Sequence, residues 1–337
     1  MIRQQKKAAY ASDREAQYDE RAKRVAGSKI VIASILSKTV DAFRGMKPRE
    51  IVPYIEGEPY IGSVPVEPGK TNASYTENGK RIVGFNTENQ EENEGLVRFD
   101  VICYVRLPEK ESKAAAGNGR AARAKYRTTV SGRKGPLTQI IINIEIQKDQ
   151  PHTYKILNRA VFYVSRQISS QKERDFVKSH YDDIKSVYSI WICMNMEENS
   201  LCHIHLTKED IIGNKQWGGN LDLFHIIMIG IGKKLPEHTE IYELHRLLGT
   251  LFSKELGRKD KIGILKEEYD ITEDDNLRED VSEMCNLSQG IKEDGIAIGE
   301  TGLIQNMHKN GFTAEQIAAA TDKNLEEVKT ILETCKR

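Results

Sequence analysis

The residues of this chain best suited to chemistry are two carboxylates set within apolar strand-like runs. Residues 140–147 read Ile-Ile-Ile-Asn-Ile-Glu-Ile-Gln, a β-branched run of strand type. A strand alternates its faces, so Ile140, Ile142, Ile144 and Ile146 point one way and Ile141, Asn143, Glu145 and Gln147 the other. Burying a carboxylate and an amide on such a face is costly unless they have partners or a metal. The plainer alternative is an edge strand with Glu145 facing water. The run Leu96–Tyr104 divides in the same way. Val97, Phe99, Val101 and Cys103 form an apolar face, and Leu96, Arg98, Asp100, Ile102 and Tyr104 form the other, with Asp100 central. If the two runs pair as a hairpin, Asp100 and Glu145 share a face on strands about 4.8 Å apart. Carboxylates that close repel unless a cation lies between them. Hard oxygen donors on a rigid sheet suit Mg²⁺, or Mn²⁺ in its place.

Between these runs lies a loop, Pro108–Pro136, rich in small and basic residues. Arg120, Arg123, Lys125, Arg127, Arg133 and Lys134 stand there with few acids nearby. One reading is a solvated hairpin tip; the other is a flexible arm that meets a phosphate backbone. Two further motifs carry less. Cys202-His203-Ile204-His205 puts two imidazoles on one strand face, short of the three or four ligands zinc takes. Gly230-Ile231-Gly232-Lys233-Lys234 lacks the spacing and hydroxyl of a phosphate loop and reads as a strand end and turn.

The elements that must position these residues can be read from periodicity. Strands are expected over Arg81–Phe85, Leu96–Leu107, Thr138–Gln147, Val187–Met196, Cys202–Leu206 and Leu223–Gly230. Helical spacing runs through Lys29–Phe43. Residues 53–79, with four prolines, read as an irregular connection. A helix is expected over His152–Ser170, with Tyr154, Leu157, Val161, Val164 and Ile168 on its apolar stripe. The C-terminal end shows a Gly311 stop, a Thr313/Gln316 capping box and two short helices. Its charge is not basic, which favours self-association over DNA contact there. The expected division is a polar tail or helix over 1–28, an α/β domain over 29–235, a helical region over 236–300 and a small helix-turn-helix-like module over 301–337.

Composition narrows the class. The 337 residues hold 50 Lys+Arg against 50 Asp+Glu, so a polyanion partner must be met by a local patch. No apolar run approaches a membrane span, and residues 1–24 lack the apolar segment of a signal peptide. Five scattered cysteines fit a reducing compartment. A cytoplasmic protein without a membrane partner is expected.

An acid on one strand followed by Glu-x-Lys on the next is the pattern of the PD-(D/E)XK nucleases. The runs GFNTENQEENEGLVRFDVICYV, IIINIEIQ, RAVFYVSRQISSQ and HYDDIKSVYSIWICMN resemble the PD-(D/E)XK nuclease family transposases, relatives of the recombination-promoting nucleases. The tail runs LSQGIKEDGIAIGE and NGFTAEQIAAATDKNLEEV fit the same resemblance, which extends from about Asp19 to the end. It implies a restriction-endonuclease-like mixed sheet flanked by helices and a Mg²⁺-dependent DNA endonuclease linked to transposition or recombination. Asp100 and Glu145 would hold the metal. Gln147 stands at the lysine position, as in the subfamily it resembles, where an amide can orient water but supplies no charge. Lys148, Lys155 or Arg159 would then supply the cation; Lys148 faces the wrong side of a regular strand. Arg159, Tyr163 and Gln167 share a row of the following helix and are secondary site candidates, as is Glu94 in the phrase NEGLVRFD. The competing expectation is a decayed nuclease fold that binds DNA or assembles oligomers; an RNA nuclease is a weaker third.

Overall fold

The fold is known from a computed structural model. It describes residues 2–61, 74–77, 80–83, 88–89, 97–108, 139–213, 215, 217–271 and 276–333, with side chains undescribed at 2–12, 74–98 and 276. Glu94 and the basic residues Arg120, Arg123, Lys125, Arg127, Arg133 and Lys134 lie outside what is described.

In chain order the elements are helices α1 (Ile2–Gly27), α2 (Lys29–Thr39) and α3 (Pro48–Ile51) and strands β1 (Tyr60–Ile61), β2 (Ser74–Glu77), β3 (Lys80–Val83), β4 (Glu88–Asn89), β5 (Val97–Arg98), β6 (Val101–Arg106) and β7 (Gln139–Gln147). Helix α4 (Ile156–Ser169) and strands β8 (Ser186–Met196), β9 (Ser200–His205) and β10 (Phe224–Gly232) follow. The chain then becomes helical: α5 (Glu243–Phe252), α6 (Arg258–Tyr269), α7 (Asn276–Lys309), α8 (Ala314–Thr321) and α9 (Leu325–Glu333). The protein is therefore mixed α/β with a helical C-terminal region. No helix among the described residues is long and apolar enough to cross a membrane.

Two compact units form, one from Ala26–Gly249 and one from Met1–Val25 with Thr250–Arg337. The first is built on a six-stranded sheet of order β1-β6-β7-β8-β10-β9. Strands β7, β8 and β10 run parallel, while β1, β6 and β9 are antiparallel to their neighbours. Parallel neighbours need a crossover connection, and α4 supplies it between β7 and β8. Strand β7 is thus interior, with partners on both sides, and Ile140, Ile141, Ile142 and Ile144 are buried. That removes the edge-strand reading of Glu145. Residues 53–79 are not wholly irregular: β1 adds to the sheet edge, and β2 pairs with β3.

Two expectations about faces need correction. The acid-bearing run is not one strand. It stops after Arg98, bends at Asp100 and resumes at Val101. The bend breaks the alternation, so Phe99 packs with Ile102, Tyr104, Ile141 and Trp191 beneath α4 and not with Cys103. Helix α4 starts at Ile156, after the extended Lys155, four residues later than expected. It buries Ala160, Tyr163, Val164 and Gln167, leaving Tyr154, Leu157 and Val161 exposed. The buried row is the one that carries Tyr163, because the sheet beneath offers both apolar and polar partners.

In the second unit, α7 packs on the last two helices through Ile304, Ile317, Val328 and Leu332. Gly311 takes a positive φ of 93° after α7, a backbone state open to glycine. The Thr313 side chain caps α8 reciprocally with Gln316, as the spacing implies. Helix α1 belongs to this unit. Tyr18 donates to the Phe252 carbonyl, and Arg14 and Arg21 reach Asp294 and Asp280.

Candidate active site

Register brings the two acids together. Val101 stands opposite Ile144 in the β6–β7 ladder, which carries the preceding Asp100 to the side of Glu145. The backbone then locks both carboxylates. The Asp100 N–H donates to Glu145 Oε1 at 3.3 Å, and the Ile146 N–H donates to Asp100 Oδ2 at 3.0 Å. Each acid thus gives one oxygen to a backbone N–H beside the other, which helps to fix both heads.

Glu145 is 3% exposed. Burial pushes its carboxyl well above the usual range, and the neighbouring Asp100 charge pushes the same way. Arg159, the Asp100 N–H and Asn143 pull against them. Asn143 is itself buried and donates to Ser189 Oγ at 3.2 Å, which also accepts from Trp191 Nε1 at 2.9 Å. A polar track therefore runs under α4 from Glu145 through Asn143 to Ser189 and Trp191. Asn143 and Ser189 were not among the sequence candidates. The amide two residues before Glu145 on the same face was the signal available.

Arg159 reaches the site from the first turns of α4. Its Nη2 lies 3.8 Å from Glu145 Oε2 and donates to the Tyr163 hydroxyl at 2.8 Å. Its Nη1 donates to Tyr154 at 3.1 Å and to Gln147 Oε1 at 3.3 Å. The guanidinium also stacks 4.8 Å from the Tyr163 ring centroid and 5.3 Å from that of Trp191. Burial works against its charge, but the Tyr163, Tyr154 and Glu145 contacts outweigh burial and hold its pKa above the usual value. Tyr163 is wedged between Phe99 and Trp191; burial and Glu145 push its hydroxyl up.

Gln147 has both ends of its amide assigned. Oε1 accepts from Arg159, and Nε2 donates to the Asp149 carbonyl at 3.0 Å. It acts as a bracket for Arg159. Gln167 is buried one turn beyond Tyr163, and among the described residues its Nε2 has no hydrogen-bond partner. Asp100, Glu145, Gln147, Arg159 and Tyr163 are thus one connected cluster.

The donor set suits a hard divalent cation. Two carboxylates held side by side, one of them buried, carry a repulsion that such an ion relieves. Among the described residues no three acid, His or Cys side chains already form a metal-holding group, so an ion here would complete its shell with water or substrate oxygens. Comparisons with protein-family models, curated proteins and solved structures find no match to this chain.

Proposed function

We propose that this protein is a Mg²⁺-dependent DNA endonuclease of restriction-endonuclease-like fold, resembling the PD-(D/E)XK nuclease family transposases and serving recombination of mobile elements. The observation that carries the reading is the reciprocal backbone clamp of Asp100, at the bend before β6, and Glu145, on the adjacent antiparallel β7, with a guanidinium beside them. Structural carboxylates seldom accumulate this way under burial; functional ones do.

Asp100 and Glu145 would hold the metal. A Mg²⁺ ion held there would supply a lowered pKa for a bound water and positive charge to offset that developing on the phosphate. Every other contribution comes from the chain. The Asp100 and Ile146 N–H groups fix the carboxylates before substrate arrives, so little reorganisation is left for the reaction. Arg159 provides the positive charge that Gln147 lacks. Gln147 and Tyr163 hold that charge in place, and Phe99, Tyr163 and Trp191 keep water from its inner side. The basic residues of 108–136 are the proposed contact to the DNA backbone, and the C-terminal helices the proposed means of self-association.

The test is nicking of supercoiled plasmid by the parent chain, Asp100→Asn and Glu145→Gln, with Mg²⁺ and with EDTA, and with an RNA substrate alongside. The parent should nick DNA only with metal, and each variant should lose roughly 100-fold or more, the scale for removing one transition-state stabiliser. Nicking by both variants at the parent rate would sink the assignment. Mg²⁺-independent DNA binding with no cleavage in the parent would favour a decayed nuclease fold.

A further inference from the structure

Three histidines meet on the sheet face opposite α4, well away in sequence from the acid pair. Strand β9 carries His203 and His205, two residues apart and so on one face. In the β9–β10 ladder His205 stands directly opposite His225, which in turn stands opposite Tyr188 of β8. His203 reaches diagonally, its Nε2 3.0 Å from His225 Nδ1. His225 is 2% exposed and stacks on Tyr188 with centroids 4.0 Å apart. Its other nitrogen, Nε2, lies 3.4 Å from Asp222 Oδ1.

We propose that His203, His205 and His225 form a binding site for a divalent transition-metal ion, with Zn²⁺ the natural occupant, independent of the acid pair. Two features carry this. First, two ring nitrogens 3.0 Å apart are already near the roughly 3.3 Å that two imidazoles need on one tetrahedral zinc with bonds of about 2.0–2.1 Å. Such a pair also sets ring centroids roughly 5 Å apart. The His203–His205 and His203–His225 separations are 4.9 Å and 5.2 Å.

Second, His225 Nε2 is buried with no hydrogen-bond partner among the described residues, and the Asp222 carboxylate 3.4 Å away needs only a small shift to take the remaining N–H of a metal-bound imidazole. With the proton on Nε2, the Nδ1 lone pair of His225 points at His203, and the cation takes the place of the proton now shared there. Among the described residues no three His, Cys or acid side chains yet converge on one point. The exposed His205 turns its ring to complete the set, leaving a fourth position for water or an outside ligand. The ion would pin the edge strand β9 to β10.

The test is calorimetric titration of metal-stripped full-length chain with Zn²⁺, backed by the visible spectrum of Co²⁺ in its place. Parent and Glu145→Gln are titrated side by side, and the site is the zinc equivalent that both share. His203→Gln and His205→Gln, both on exposed strand positions, should each weaken that equivalent by about 100-fold, and Asp222→Asn by about 10-fold or more. Should His225→Gln fail to fold, those three variants still decide the matter. Cys202→Ser should bind as the parent does, and Co²⁺ should show tetrahedral absorption. Unchanged affinity in His203→Gln and His205→Gln, zinc binding that disappears with Glu145→Gln, or dependence on Cys202 would each overturn the assignment.

Discussion

Arg159 donates to the side-chain oxygen of Gln147 at 3.3 Å while its other amino group lies 3.8 Å from Glu145. Gln147, two residues beyond Glu145, therefore holds a cation without carrying one. Arg159→Ala should lower metal-dependent nicking by roughly 100-fold, and Gln147→Ala by less, because Tyr154 and Tyr163 still grip the guanidinium. Gln147→Lys in the Arg159→Ala background should recover part of the rate by returning a charge to the strand. No recovery, with normal folding, would show that Arg159 does more than supply charge.

Glu145 is a site where activity and stability should part. A buried carboxylate beside a second one is costly, so Glu145→Gln, which keeps the shape and removes the charge, should unfold at a higher temperature than the parent when metal is absent. Saturating Mg²⁺ should raise the parent and leave the variant nearly unchanged, since only a ligand bound to the native state stabilises it. Thermal melts at neutral pH check both. A variant less stable than the parent without metal would contradict the repulsion.

Asp175 makes the opposite kind of acid. Burial pushes its carboxyl up, but Arg174, the Tyr104 hydroxyl and Lys185 together hold it below the usual carboxylate range. Arg174 and Lys185 lie 2.7 Å and 3.0 Å away. A carboxyl with a depressed folded pKa contributes stability above its unfolded value, near 3.9, and loses it as pH falls further toward the folded one. Asp175→Asn should cost about 3–5 kcal/mol at neutral pH, since it removes the carboxylate charge paired with the buried Arg174 and the partly buried Lys185. It should also flatten the loss of stability below about pH 4. Denaturant titrations from pH 7 to pH 2 would show this, and equal acid sensitivity in both chains would not fit.

The cysteines test the burial of the sheet. Cys103 and Cys193 are buried, and burial pushes their thiols up to about 12 and about 11. Cys202 on the edge strand β9 is exposed. Thiolates react and thiols do not, so a brief alkylation pulse followed by peptide mass spectrometry should mark Cys202 and spare the other two. Equal labelling of all three would mean that β6 and β8 are not where the sheet puts them.

Much of this was legible in the chain. Period-two alternation determined that Asn143, Glu145 and Gln147 share a face, and the helical row placed Arg159 beside Tyr163; both are local consequences of backbone geometry. The pairing of the Asp100 and Glu145 runs was also readable, because a buried strand face tolerates only one register. What the sequence could not decide was long-range. The bend at Asp100 turned Phe99 under α4. The polar track beneath that helix selected the row with Ala160, Tyr163 and Gln167 as the buried one, against the more apolar stripe with Leu157 and Val161. The joining of Arg159 to Gln147, and of His225 to His203 and His205, depended on which strands became neighbours. Hydrophobicity by itself does not encode that choice, since many strand orders would bury the same isoleucines. Only the folded sheet brings the particular polar partners within hydrogen-bonding reach.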